Sequence, residues 1–293
     1  MKIKITTLLI VLFFTTIISY AQEDSEKSVL WEVSGKNLKE KSYIFGTIHM
    51  IPKDDYFFLD IWTDKFETCE VLALEAKMDL GLSEQIQLAM KAKLPEGTTL
   101  KDYMTKEDYA KYRANLIDTL GVKEKKLNTY DQLKPFYIYS MVLMEVIDDK
   151  IIMYEKELTK KAKKNKMEIV GLETVEFQMS LVDSIPIEKQ VEMFLMDDEG
   201  GNIKDEYYKS VNLYKQQDIK ALHELTNANQ SEEFVELMDN FLFKRNDNWI
   251  PKIIKLMNKK PTFIAVGAAH LGGERGILNL LKKEGYTVKP IKE

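Results

Sequence analysis

The chain has 293 residues, 45% of them hydrophobic and 30% charged, with a formal net charge of −5. This balance fits a globular protein long enough to bury a large core. It gives no concentrated basic face of the kind nucleic acid requires. One cysteine, Cys69, excludes an intrachain disulfide and a cysteine-rich zinc site. Beside the apolar residues 71–74 it reads as a buried structural thiol.

Residues 1–21 read as a secretory signal peptide. Lys2 and Lys4 form a basic start, residues 5–18 are mostly apolar, and Ser19-Tyr20-Ala21 places small residues for a cut after Ala21. The apolar run is short against the ~20 residues of a membrane span. No stable membrane span is therefore expected after cleavage, and the destination is periplasmic or extracellular. Residues 22–28 are polar and read as a flexible leader. Residues 29–290 contain no linker rich in Pro, Gly or Ser, so one domain is expected over 29–293.

The first predicted elements are two strands, 29–33 and 41–47, joined by the turn Ser34-Gly35-Lys36-Asn37. Residues 71–74 form a short apolar run, as expected of a strand buried on both faces. Residues 80–165 are largely helical in pattern. Thr105 is a predicted N-cap, Pro135 opens an apolar helix over 136–147, and a charged helix covers 154–164. The lysines at 160, 161, 163 and 164 fit the solvated end of that helix. Residues 167–172 are a third core strand. A second helical region runs from 174 to about 258, with Gly200-Gly201 as its predicted break. Residues 261–266 are a fourth core strand. A short helix from Ile277 stops at Gly285, and 286–290 is the last strand. Core strands separated by helices predict an α/β fold: a central, mostly parallel or mixed sheet with large helical insertions.

Two segments share one pattern. Ile44-Phe45-Gly46-Thr47-Ile48-His49 and Ala265-Val266-Gly267-Ala268-Ala269-His270 are each an apolar strand followed by Gly-x-x-His. Two of the chain's three histidines stand in this pattern. The other two core strands each end in a glutamate, at Leu74-Glu75 and Leu172-Glu173. Ligands of open α/β sheets bind beyond the C-terminal ends of the strands. His49, His270, Glu75 and Glu173 are thus expected in one cleft. A single histidine at a strand end is most often a packed side chain, but two with two glutamates favour a site. His223 lies in a helical stretch and is left outside it. Arg245, in Arg245-Asn246-Asp247-Asn248-Trp249, reads equally as a helix surface or as a group that holds a carboxylate or an oxyanion.

These segments, with 94–100, 133–136 and 173–178, resemble in order and spacing the TraB/GumN family, related to the Tiki proteases. The likeness covers the chain from about Leu30 to Val288. It implies active-site roles for His49, His270, Glu75, Glu173 and Arg245. In Tiki-like members it implies proteolysis dependent on manganese or cobalt. In erythromycin-esterase-like relatives it implies a histidine that activates water without metal, and other relatives bind haem. The family tends to carry Gly-x-Asp before the third core strand. Here the segment reads Ile152-Met153-Tyr154-Glu155, with Glu155 in place of the Asp.

The leading expectation is a metal-dependent peptidase or amidase. His49, His270 and Glu75 would hold a divalent Mn, Co or Zn, the other glutamate would act as base, and Arg245 would steady the anionic intermediate. Either glutamate fits either role. The alternatives are a metal-independent hydrolase of ester or amide substrates with a His base, and a binding protein for a peptide or cofactor. Oligomeric state is not legible.

Overall fold

The computed structural model describes residues 27–292, apart from 78, 80, 120, 148–149, 201–202 and 229–230. The expected signal peptide lies outside the described residues, as does the Gly201 side of the expected break at Gly200-Gly201.

The strands in chain order are β1 (Leu30–Ser34), β2 (Ser42–Thr47), β3 (Met50–Pro52), β4 (Val71–Ala76), β5 (Ile151–Met153), β6 (Glu168–Glu173), β7 (Thr262–Gly267) and β8 (Thr287–Pro290). Six of them form one sheet in the order β6-β4-β7-β2-β1-β8. The β6, β4, β7 and β2 strands run parallel, and β1 and β8 add an antiparallel edge. The predicted α/β architecture is therefore the observed one, a mixed sheet that is mostly parallel.

Sequence explains which strands are central. Every residue of β2, β4 and β7 is buried, as apolar strands covered on both faces should be. The β1–β2 hairpin turns through Gly35, Lys36 and Asn37, all at positive φ; glycine and asparagine tolerate that region best. Aromatic side chains fill one sheet face: Phe45 packs edge-on against Trp62, and Phe66 against Phe263. Cys69 is buried as expected.

The long insertion between β4 and β6 builds a separate apolar cluster around Leu100, Tyr112, Leu127 and Ile138. Thr105 caps its helix as predicted, accepting from the Asp108 N–H. The β3 and β5 strands were not foreseen; they are three residues each and pair antiparallel, with Met50 opposite Met153. The sequence assigns no element to 151–153, since so short a run carries no periodicity. Their pairing brings the start of the Tyr154–Lys164 helix beside His49.

Candidate active site

The parallel strands deliver the site residues along one edge. In the order of the sheet, β6 ends in Glu173, β4 carries Glu75 near its end, β7 leads through Gly267 into the turn Ala268–His270, and β2 leads to His49. The two Gly-x-x-His strands are direct neighbours, with Thr47 opposite Gly267. Gly46 is required by close approach: a Cβ there would lie 3.1 Å from the Ala268 Cα.

Arg245 organises the acidic half. It lies on the Lys244–Met257 helix, which buries Arg245, Asn246 and Trp249 on the face toward β7. Its Nη2 donates to Glu75 Oε2 at 2.5 Å and to Glu173 Oε1 at 2.6 Å. Its Nε donates to Glu173 Oε1 at 2.9 Å, and Nη1 to the Phe241 carbonyl at 2.8 Å. A further contact of 3.3 Å joins Nη1 to His270 Nε2. All five N–H groups thus have partners inside the protein. The guanidinium holds two glutamates in place rather than offering a free donor.

The carboxylates have neutral donors as well. Trp249 Nε1 donates to Glu173 Oε2 at 2.8 Å, the Gly267 N–H to Glu75 Oε1 at 2.8 Å, and Gln178 Nε2 reaches both glutamates. Burial pushes the Glu75 carboxyl up, but positive charge nearby, from His270 once it is protonated in acid and from His49 and Arg245, together with the Gly267 N–H pulls it down to about 2. Burial holds His270 neutral, so the close guanidinium is the partner that keeps Glu75 ionised.

Burial lowers His270 to about 3, Glu75 opposes, and Arg245 and His49 lower it further. Its tautomer follows from Asn246. The Asn246 amide Nδ2 donates to the His270 and Arg275 carbonyls, which turns Oδ1 toward His270 Nδ1 at 2.7 Å. His270 therefore carries its proton on Nδ1, and its Nε2 lone pair faces the Arg245 N–H.

His49 differs. Its Nδ1 lies 2.8 Å from Glu155 Oε1, and the same oxygen accepts from Thr47 Oγ1 at 2.8 Å. A carboxylate on Nδ1 fixes the ring and leaves Nε2 for chemistry. Desolvation by the surrounding site lowers its pKa, but the charge and hydrogen bond of Glu155, with Glu75 beyond, raise it to about 9. The side chain is 61% exposed, so water screens part of that pull.

Gly267 marks where these groups converge. A Cβ at Gly267 would stand 3.3 Å from Glu75 Oε1, 3.4 Å from His49 Nε2 and 3.6 Å from His270 Cδ2. The missing side chain leaves a hollow bordered by both histidines and one glutamate.

All five sequence-predicted residues, His49, Glu75, Glu173, Arg245 and His270, come together at this edge. His223 sits on the Ile219–Thr226 helix, packed beside Gly272 and Gly273 rather than in the cluster. Glu155, Asn246, Gln178 and Trp249 join the site without having been assigned to it. Glu155 had one signal, its place where the family carries Asp. Asn246 and Trp249 had another, since positions 245 and 246 each share a helix face with 249.

The expected metal ligands do not fit a cation as they stand. His270 Nε2 faces a guanidinium, and both Glu75 oxygens accept hydrogen bonds from protein donors. A divalent ion there would sit against Arg245. Among the described residues no group of three or more His, Cys, Asp or Glu side chains is disposed to hold a metal.

The sequence model of the TraB/PrgY/gumN family matches residues 29–290. The chain belongs to this family. Comparison with curated proteins and with solved structures gave no match. Family membership therefore names the lineage, and the reaction has to be argued from the site.

Proposed function

We propose that this TraB/PrgY/gumN-family chain is a hydrolase of amide or ester bonds in which His49 activates the attacking water. The observation that carries this reading is the pair His49–Glu155: Nδ1 is held by a carboxylate while Nε2 borders the hollow over Gly267. Water in that hollow gives a proton to Nε2 as its oxygen attacks the substrate carbonyl carbon. The imidazolium, balanced by Glu155, then returns the proton to the leaving nitrogen or oxygen as the C–N or C–O bond breaks. Glu75, Glu173 and Arg245 form the rigid wall of the hollow, and neutral His270 closes its buried side.

The test uses the chain beginning at Gln22, incubated with a peptide library and a panel of aryl esters, with and without EDTA. The expected result is hydrolysis that persists in EDTA and is lost in His49→Ala. Activity that EDTA abolishes and Mn, Co or Zn restores would replace this reading with the metal-dependent peptidase. Tight ligand binding without turnover on the whole panel would replace it with a binding role.

A further inference from the structure

A cavity of about 480 Å³ opens between the helical insertion and the segment 183–190 that follows β6, against Leu94-Pro95. That volume is in the range of small-molecule sites. Residues 94–100 were among the family-like segments of the sequence, yet they lie outside the histidine and glutamate cluster. Backbone bonds shape the cavity. The Leu94 N–H donates to the Gln132 carbonyl and the Lys134 N–H to the Ala92 carbonyl, around an isolated bridge between Lys93 and Leu133. This places Lys134 beside Lys93, from distant parts of the chain.

The lining combines three features. Its apolar part includes Leu94, Pro95, Pro186 and Ile187. Its charge is positive: Lys134 pairs with Asp183, while Lys91 and Lys93 are exposed and form no ion pair among the described residues. Its third feature is Gln190, 4% exposed. Gln190 Nε2 donates to the Val182 and Ile185 carbonyls, which fixes the amide, and its Oε1 is buried with no partner. A buried acceptor left unpaired is unfavourable, so a small shift of this amide toward the cavity would let a ligand donor pair with it.

We infer that this cavity binds the carboxylate end of an apolar chain, with the carboxylate toward Lys91 and Lys93 and the apolar portion against Leu94, Pro95, Pro186 and Ile187. Two sources share this chemistry, a fatty carboxylate and the C-terminal residue of an apolar peptide. Only the peptide brings an amide N–H for Gln190. The Val175–Asp183 helix links the two regions: Gln178 contacts the glutamates, and Asp183 lies on the cavity wall about 7.5 Å further along its axis. The inference concerns binding and stands apart from the proposed hydrolysis.

Isothermal titration of the chain from Gln22 tests it, with decanoate, decanol, N-acetyl-leucyl-leucine and the C-terminal amide of that dipeptide as probes. The expected result is one site per chain for at least one of the two acids, with the matching uncharged probe about tenfold weaker. The exposed-site variant Lys91→Glu/Lys93→Glu should weaken the acid about tenfold while its thermal unfolding matches wild type. Gln190→Leu separates the sources, since it weakens the dipeptide and leaves decanoate unchanged. Equal affinity for acid and uncharged probe, unchanged affinity in the double lysine variant, or no binding of either acid would overturn the inference.

Discussion

The imidazole of His49 and the carboxylate of Glu155 meet at 2.8 Å although 106 residues separate them in the chain. The contact depends on the short pairing of β3 with β5, because His49 precedes the first of these strands and Glu155 follows the second. A carboxylate on Nδ1 makes Nε2 a stronger base and holds the ring toward the hollow. The same carboxylate keeps Nε2 protonated to higher pH, so reactivity and pH dependence are coupled.

That coupling predicts the pH–rate profile. With His49 raised to about 9, its base form grows as pH increases through the neutral range. The ratio kcat/KM should climb from pH 6 and level near pH 9. In Glu155→Gln the limb should move down toward the ordinary histidine value, and the plateau should fall about 10- to 100-fold. A limb that stays in place in this variant would remove Glu155 from the mechanism.

Stability should depend on acid through the buried half of the site. His270 is lowered to about 3 from 6.5, so its contribution is complete above pH 6.5 and is lost as pH falls toward 3. Glu75 is lowered to about 2 from 4.5, so its contribution is lost between pH 4.5 and 2. His49 acts in the opposite direction: its stabilisation is full below pH 6.5 and is lost as pH rises toward 9. Thermal unfolding followed from pH 3 to 9 should show the steepest loss on the acid side. His270→Ala should flatten the segment between pH 6 and 4; an unchanged slope there would contradict a neutral buried His270.

Arg245 separates two carboxylates that are both nearly inaccessible to water. Arg245→Met leaves them facing each other without a cation, which should destabilise the fold by about 3–5 kcal/mol. Adding Glu75→Gln and Glu173→Gln should recover much of that loss, because the variant then buries no unpaired charge. Denaturant unfolding of the single and triple variants measures the difference. Equal stability of the two would mean that packing of the long side chain, rather than its charge, holds this region.

Much of the scaffold was legible because burial on both faces leaves unbroken apolar runs. Residues 71–74 and 261–266 could hardly be anything but central strands, and each is followed directly by a residue of the site, Glu75 or Gly267. Titratable residues at strand ends were legible for the same reason, since parallel strands bring their C-terminal ends to one edge. What escaped was set by pairing between distant segments. Nothing within Ile151-Ile152-Met153 distinguishes a strand from a helix approach until Met50 lies opposite Met153. That Arg245 holds carboxylates was one of its two sequence readings, but a polar cluster after an apolar run does not reveal that the guanidinium is saturated. The ligand set expected at His49, His270 and Glu75 rested on residue type, which does not show that a guanidinium faces His270 Nε2.

Asn246 predicts a spectroscopic signature. Its Oδ1 faces His270 Nδ1 because its amide nitrogen is held by two carbonyls. Nitrogen NMR at neutral pH should therefore find His270 protonated on Nδ1 and bare at Nε2. Asn246→Ala should lose that preference and about 1–3 kcal/mol of stability through the unpaired carbonyls. Protonation on Nε2 in the wild-type protein would reverse the assignment.

Gly267 gives the most direct test of the hollow. Its backbone, at φ −53° and ψ 136°, suits any L-residue, so alanine brings no conformational strain. The added methyl would sit 3.3 Å from Glu75 Oε1 and 3.4 Å from His49 Nε2, contacts that need shifts of a few tenths of an ångström by the buried carboxylate as well as by the exposed histidine. Gly267→Ala should therefore leave the unfolding temperature within about 3 °C of wild type, equivalent to about 1 kcal/mol. Turnover should nevertheless fall by at least about 100-fold, because the methyl occupies the place of the attacking water and misplacement by about 1 Å already has effects of that size. A stable Gly267→Ala protein with full activity would move the chemistry away from this hollow. Loss of activity with stability retained would leave His49 Nε2 and the space over Gly267 as the reacting centre.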